Sequence, residues 1–158
     1  MNELHIPNFG ELLAPYIDRV PGEALPNFLA LLERGAADRY RGWAEMLPAE
    51  RAGLLACANR EDEIADRAEA LFPLNPSLRD DVAAPLPEAK ATYYRVFLDL
   101  DVYDQLRIQA DAERQGAAAW RAMISDDVPK LTAAELEAIA RLEETSADYL
   151  DALLATAP

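Results

Sequence analysis

Cysteine and histidine are nearly absent from this chain. Cys57 and His5 are the single representatives of their types among 158 residues. One thiol excludes a disulfide within the chain and a thiolate metal cluster. One histidine, far along the chain from other candidate groups, excludes Cys/His zinc spacings and a Ser–His–Asp set. The six glycines form no phosphate-binding loop. Any chemistry must therefore come from other side chains.

Long apolar runs and positive charge are also scarce. No apolar run approaches the length of a membrane span, and no basic region followed by an apolar one begins the sequence. Asp and Glu number 29 against 15 Lys and Arg, which gives a formal net charge of −14 and a pI near 4.4. Such a surface repels nucleic-acid phosphates and anionic lipids. We therefore expect no nucleic-acid or membrane partner, and a cytoplasmic location.

Alanine and leucine at helical spacing dominate the rest of the chain. Hydrophobic residues make up 51% of the sequence and few of them are β-branched, which favours helices. The length fits a single domain with a sizeable core. Prolines divide the chain into segments. We predict an N-terminal arm over 1–25, a helical hairpin over 26–72, a crossover with an extra helix over 73–99, and a second hairpin over 100–156.

Two features predict where helices break and begin in the second half. The helical pattern runs without interruption over 88–124, which is longer than a small bundle needs. We expect a bend or break near Asp99–Asp101, so that an extra helix precedes the third long helix. Thr132 followed by Glu135 has the spacing of a capping box, which predicts the start of the last helix there.

Two segments of the first hairpin recur in the second. EDEIADRAEAL at 61–71 matches EETSADYLDAL at 143–153, and ERGAADRY at 33–40 matches ERQGAAAW at 113–120. Both pairs recur at nearly the same separation along the chain. Two such matches indicate a duplicated helix pair.

Four glutamates lie inside apolar helical stripes, where acids are not expected. An ionised carboxylate in a core costs several kcal/mol unless it is compensated by a cation, a proton, water or arginine. No arginine lies at stripe spacing beside them, and small residues nearby leave room between the helices. Convergent carboxylates suit a hard divalent ion such as Mn²⁺, Mg²⁺ or Fe²⁺. The predicted ligands are Glu33, Glu61, Glu113 and Glu143.

The repeated pattern of these glutamates resembles the ferritin-like superfamily, and its rubrerythrin branch in particular. Those proteins pair a helix bearing E-x-x-A-x-x-x-aromatic with a helix bearing E-x-x-H-A, and then repeat the pair. The resemblance implies an all-α ferritin-like four-helix bundle with a di-iron or di-manganese centre. It implies that Glu61 and Glu143 bridge the metals while Glu33 and Glu113 are terminal ligands. Redox or O₂-linked chemistry is the activity it implies.

The chain departs from this family at both histidine positions. Ile64 and Ser146 stand where the two E-x-x-H motifs have their histidines. Isoleucine is not a ligand and serine is a poor one for iron, so the remaining glutamates fit a carboxylate-only site. They equally fit a remnant in which the acids are protonated or paired.

Three hypotheses about function follow. The first is a divalent metal bound by the four glutamates. The second is a metal-free bundle that acts as a structural or interaction module, as a homodimer, with the acids as a polar core layer. The third is a small-molecule pocket in which the glutamates bind a cationic ligand. In all three, Tyr40, Trp120 and Cys57 are predicted to be core residues.

Overall fold

The computed structural model describes residues 3–158, which form helices joined by turns. No β-strand occurs within this range, so the predicted all-α class is confirmed. No helix of the described chain is long and apolar enough to cross a membrane. The helices are α1 (Phe9–Ile17), α2 (Leu25–Met46), α3 (Arg51–Leu71), α4 (Arg79–Ala83), α5 (Leu86–Arg95), α6 (Val102–Arg121) and α7 (Lys130–Ala155).

The four long helices form two hairpins that pack against each other. A single 3₁₀ turn, Pro48–Glu50, joins α2 to α3, and these two helices contact each other extensively, as α6 and α7 do. Helix α3 begins at Arg51, directly after this turn, which Pro48 opens. Helix α3 also packs on α7, and Tyr40 of α2 reaches Glu113 of α6. All four helices therefore contribute side chains to one interior.

The long connection between the hairpins contains two helices and a break. Helix α5 packs on α2 and on α1. After α5, Asp99 adopts a left-handed conformation with φ of 63°. Asp101 then caps α6, since its carboxylate accepts hydrogen bonds from the backbone N–H groups of Tyr103 (2.9 Å) and Asp104 (3.0 Å). The stretch is thus two helices, broken where the sequence predicts.

The N-terminal arm contains a short helix that packs on the bundle. The Asn8 side chain caps α1, and Pro15 lies within the helix. The side chain of Gln115 on α6 accepts a hydrogen bond from the Phe9 N–H and donates one to the Pro7 carbonyl, both at 2.8 Å. Tyr16 is hydrogen-bonded to Thr92 of α5 at 2.6 Å. Residues 1 and 2 of the predicted arm lie outside the described residues.

The predicted start of the last helix at Thr132 is wrong. Helix α7 begins at Lys130, two residues earlier, and no side chain caps its first turn. Pro129 has an extended ψ of 146° and ends the preceding loop, so the chain enters the helix directly after it. Thr132 lies inside the first turn, where its spacing to Glu135 has no capping function.

Replacing Asp101 by alanine tests the break between α5 and α6. We expect the free energy of unfolding to fall by about 1 kcal/mol, because two N–H groups at the start of α6 lose their acceptor. Asp101→Asn keeps an acceptor oxygen and should retain most of the stability. Urea denaturation compares the variants. Equal stability of the alanine and asparagine variants would contradict a capping role.

Candidate carboxylate site

Each long helix places one glutamate in the common interior. Glu61, Glu113 and Glu143 are almost fully buried, with 1–2% of their surface exposed, and Glu33 is partly buried. One carboxylate oxygen from each of Glu33, Glu61 and Glu143 lies within 4.8 Å of the others. We call these three residues the triad. Glu113 lines the same cavity but does not belong to the triad.

Hydrogen bonds orient the fourth carboxylate, Glu113. Its Oε1 accepts from the Tyr40 hydroxyl at 2.5 Å and from Gln109 Nε2 at 2.7 Å. Gln109 in turn accepts from the Tyr93 hydroxyl at 2.6 Å. Burial and the neighbouring Glu113 charge raise the pKa of both tyrosines well above its ordinary value, so these hydroxyls remain donors.

One indole N–H contacts two members of the triad. Trp120 Nε1 lies 3.2 Å from Oε1 of Glu33 and 3.2 Å from Oε1 of Glu143. Gly116, one turn earlier on α6, allows the Glu143 carboxylate to approach the helix. A Cβ atom on Gly116 would lie 2.6 Å from Glu143 Oε1 and 2.9 Å from its Cδ.

Several buried oxygens of the site have no hydrogen-bond donor. Within residues 3–158, both oxygens of Glu61 and the Oε2 of Glu113 lack a hydrogen-bond partner. Buried acceptors normally have partners, because desolvation without compensation costs about 1–3 kcal/mol. These oxygens therefore require a partner, which is a proton shared between the acids, a water molecule, or a cation from outside the chain.

The nearby arginines bind elsewhere. Arg34 pairs with Asp62, Asp66 and Glu69, Arg60 donates to Ser146 and Cys57, and Arg114 pairs with Asp151. None of the ion pairs found across the described chain includes one of the four glutamates. The arginines of the described chain therefore do not compensate the charge of the four glutamates.

Burial and mutual repulsion disfavour charge on the triad. Desolvation is the largest cause that raises the pKa of Glu33, to about 7. It also raises the pKa of Glu61 and Glu143 well above the ordinary value, and the charges of the neighbouring glutamates add to the effect. Without a cation the triad holds protons near neutral pH. A metal ion must displace those protons, so the two compete for the same oxygens.

Neither histidine-replacing residue contributes a ligand. Ile64 is fully buried in an apolar cluster with Ala68, Leu136 and Ile139. Ser146 accepts a hydrogen bond from Arg60 Nε at 2.9 Å. Neither residue lines the cavity, so the candidate metal ligands there are the carboxylate oxygens.

Sequence reasoning missed the donors of the site. Tyr40 and Trp120 are buried as predicted, but they also hydrogen-bond to the glutamates. Each aromatic bonds to the opposite hairpin: Tyr40 follows Glu33 by two turns and binds Glu113, whereas Trp120 follows Glu113 and binds Glu33. The repeated Glu-x₆-aromatic spacing was the sequence feature from which these hydrogen bonds could have been predicted. Gln109 lies one turn before Glu113 on α6, so the i,i+4 spacing of the two residues was a local signal. Tyr93 had no such signal, because its partner Gln109 lies on another helix.

Comparison with known proteins gives no match to a family model, a curated protein or a solved structure. The site is thus defined by its own geometry. The fold and site define a class: an all-helical bundle with a buried cluster of carboxyl groups within residues 3–158.

The raised pKa values predict how stability depends on pH. The folded chain holds protons on these acids that the unfolded chain releases, so their contribution to the free energy of unfolding should be greatest below about pH 4.5. It should fall as the pH rises through about 7, the folded pKa of Glu33. Each such proton contributes a slope of about 1.4 kcal/mol per pH unit. Urea denaturation between pH 5 and 8, with a chelator present, measures this slope.

Glu33→Gln provides the control for that measurement. Glutamine mimics the protonated acid, so the slope between pH 5 and 7 should decrease by about one proton. Glu137 does not interfere, because its hydrogen bonds to Arg121 lower its pKa to about 2, below this window. Stability that rises steadily from pH 5 to 7 would show that the acids are ionised in the fold.

Gly116→Ala tests the close approach of Glu143 to α6. Alanine in place of an exposed helical glycine stabilises by about 1 kcal/mol, and Gly42→Ala, where nothing lies within 4 Å of the new methyl, should show that gain. At Gly116 the methyl collides with the Glu143 carboxyl group, so we expect no gain or a loss. Equal gains for the two variants in urea denaturation would refute this packing.

Proposed function

We propose that this chain is a divalent-metal-binding protein of the ferritin-like type. The ion is bound by Glu33, Glu61 and Glu143, and Glu113 is a fourth carboxylate beside it. The observation that carries the proposal is the convergence of buried carboxylate oxygens, of which both of Glu61 lack a donor within the described chain. A cation supplies the missing partner and reverses the unfavourable burial of charge.

The arrangement of the helices supports the ferritin-like assignment. The two hairpins carry matching Glu-x₆-aromatic segments, and one long connection joins them. Helix α3 runs antiparallel to α7, since Arg60 contacts Ser146 and Arg67 contacts Glu135. Each of the four long helices supplies one inward carboxylate, which is the arrangement of metal ligands in ferritin-like bundles.

The ligand set favours a hard cation. Oxygen ligands suit Mn²⁺, Mg²⁺ and Fe²⁺, whereas the loss of both histidines removes the imidazole nitrogens that strengthen iron binding. Both oxygens of Glu61 lack a hydrogen-bond donor, and Trp120 donates to both Glu33 and Glu143. These contacts leave the triad able to bind one ion. A redox-active ion bound there would supply electron-transfer or O₂-linked chemistry.

A metal-free bundle is the second candidate, and the hydrogen bonds of the site favour it. Tyr40, Gln109 and Trp120 donate to the carboxyl groups, and the raised pKa values of the triad allow shared protons. The acids then form a neutral polar layer that fixes the register of the four helices. Such a protein serves as a structural or interaction module, and a homodimer remains the prediction for its assembly.

Elemental analysis and ion titration decide between these candidates. We expect protein purified without a tag or chelator to carry a divalent metal, and Mn²⁺ to raise its melting temperature. Glu61→Gln or Glu143→Gln should weaken Mn²⁺ binding about 100-fold or more, because each removes a ligand charge. Isothermal calorimetry measures the affinities.

Glu88→Gln is the matched control, since Glu88 is exposed on α5 and lies outside the site. It should bind Mn²⁺ like the unaltered protein. Metal-free protein whose melting temperature no divalent ion changes would reject the metal centre and leave the neutral polar layer. Unchanged affinity in both site variants would reject the assigned ligands.

A further inference from the structure

The cavity that contains the glutamates is much larger than a metal ion. Its volume is about 480 Å³, within the range of pockets that bind small organic molecules. Apolar side chains of α1 and α2 form much of its wall, including Leu13, Ile17, Leu29 and Leu32. An ion in the triad would leave most of this space for another occupant.

The polar end of this space has one acceptor outside the triad. Glu113 is 1% exposed, its Oε1 is engaged by Tyr40 and Gln109, and its Oε2 has no donor within residues 3–158. The two hydrogen bonds fix the Oε1 end of the carboxylate, and Glu113 lines the cavity. A ligand that places a donor there satisfies a buried acceptor and gains a charge-assisted hydrogen bond.

We propose that this cavity binds a primary amine with an apolar body. Its ammonium group donates to Glu113 Oε2, and its hydrocarbon body lies against Leu13, Ile17, Leu29 and Leu32. This site adjoins the metal triad in the same cavity and does not require that the triad be filled.

The charge of the pocket selects the ammonium over other head groups. Four carboxylates carry more negative charge than one divalent ion carries positive charge. The pocket therefore keeps a negative charge when a metal is bound. A carboxylate head group is repelled by Glu113. An alcohol can donate a hydrogen bond to Glu113, but it has no positive charge and therefore lacks the ion pair that an ammonium group adds. The apolar wall gains about 25 cal/mol for each Å² of hydrocarbon that it removes from water, which favours a body of several carbons.

Exposed residues among the lining place the opening of the cavity between α1 and α6. Gly10 of α1 and Ala118 and Ala119 of α6 are exposed and line it. A bulky side chain at Ala119 should therefore obstruct an organic ligand while a small ion still passes. Ala134 is an exposed helical alanine on α7 that does not line the cavity, so it offers a matched control.

Calorimetry with three probes of equal chain length tests the proposal. Octylamine, octanol and octanoate are titrated into the full chain at pH 7 in an amine-free buffer, with and without Mn²⁺. We expect octylamine to bind at least about tenfold more tightly than the other two in both conditions. Glu113→Gln should weaken octylamine about tenfold or more, because it removes the charge that binds the ammonium. Ala119→Trp should weaken octylamine, and Ala134→Trp should not.

Each contrary outcome has a definite meaning. Tighter binding of octanoate or octanol, or unchanged octylamine affinity in Glu113→Gln and Ala119→Trp, overturns the amine site. Competition between octylamine and Mn²⁺ overturns the assignment to Glu113, because it places the ammonium in the triad. If Mn²⁺ binds and octylamine does not, only the amine site is rejected. If octylamine binds and Mn²⁺ does not, only the metal centre is rejected.

Discussion

The burial of four carboxyl groups is the constraint on which the rest of this structure depends. A charge removed from water without a partner is so unfavourable that the surroundings must either neutralise it or supply an ion. The residues around the site reflect this. Gly116 makes room for Glu143, Trp120 donates to two acids at once, and the arginines pair with surface acids instead. The interior is left with acceptors that the described chain does not satisfy.

The two hairpins depend on each other through these acids. Tyr40 of the first hairpin bonds to Glu113 of the second, and Trp120 of the second bonds to Glu33 of the first. The exchange involves the repeated Glu-x₆-aromatic segment, with one copy from each hairpin. The two halves are not equivalent, however. Tyr93 and Gln109 orient Glu113 alone, while Glu33, Glu61 and Glu143 converge on each other.

Protons and cations therefore have the same role in this interior. The raised pKa values describe the site without a cation, and an ion bound there would replace the protons as the compensating charge. The apolar side of the cavity adds a second property. Gln115 of α6 hydrogen-bonds to the backbone at the start of α1, and α1 forms an apolar wall beside the acids. The cavity is therefore polar on one side and apolar on the other.

The sequence by itself determined the helices, the break before α6 and the inward glutamates, because periodicity and local turn chemistry are encoded by near neighbours. Tertiary structure decided the rest. Thr132 has the local signal of a cap, yet Pro129 and packing start α7 earlier. Helix packing decides which distant groups come into contact, and no local pattern specifies it. It directs Arg60 to Ser146, and it brings the donors of Tyr40 and Trp120 to acids on the opposite hairpin. The cavity exists only where α1 meets α2 and α6, and residues far apart in the chain set its size.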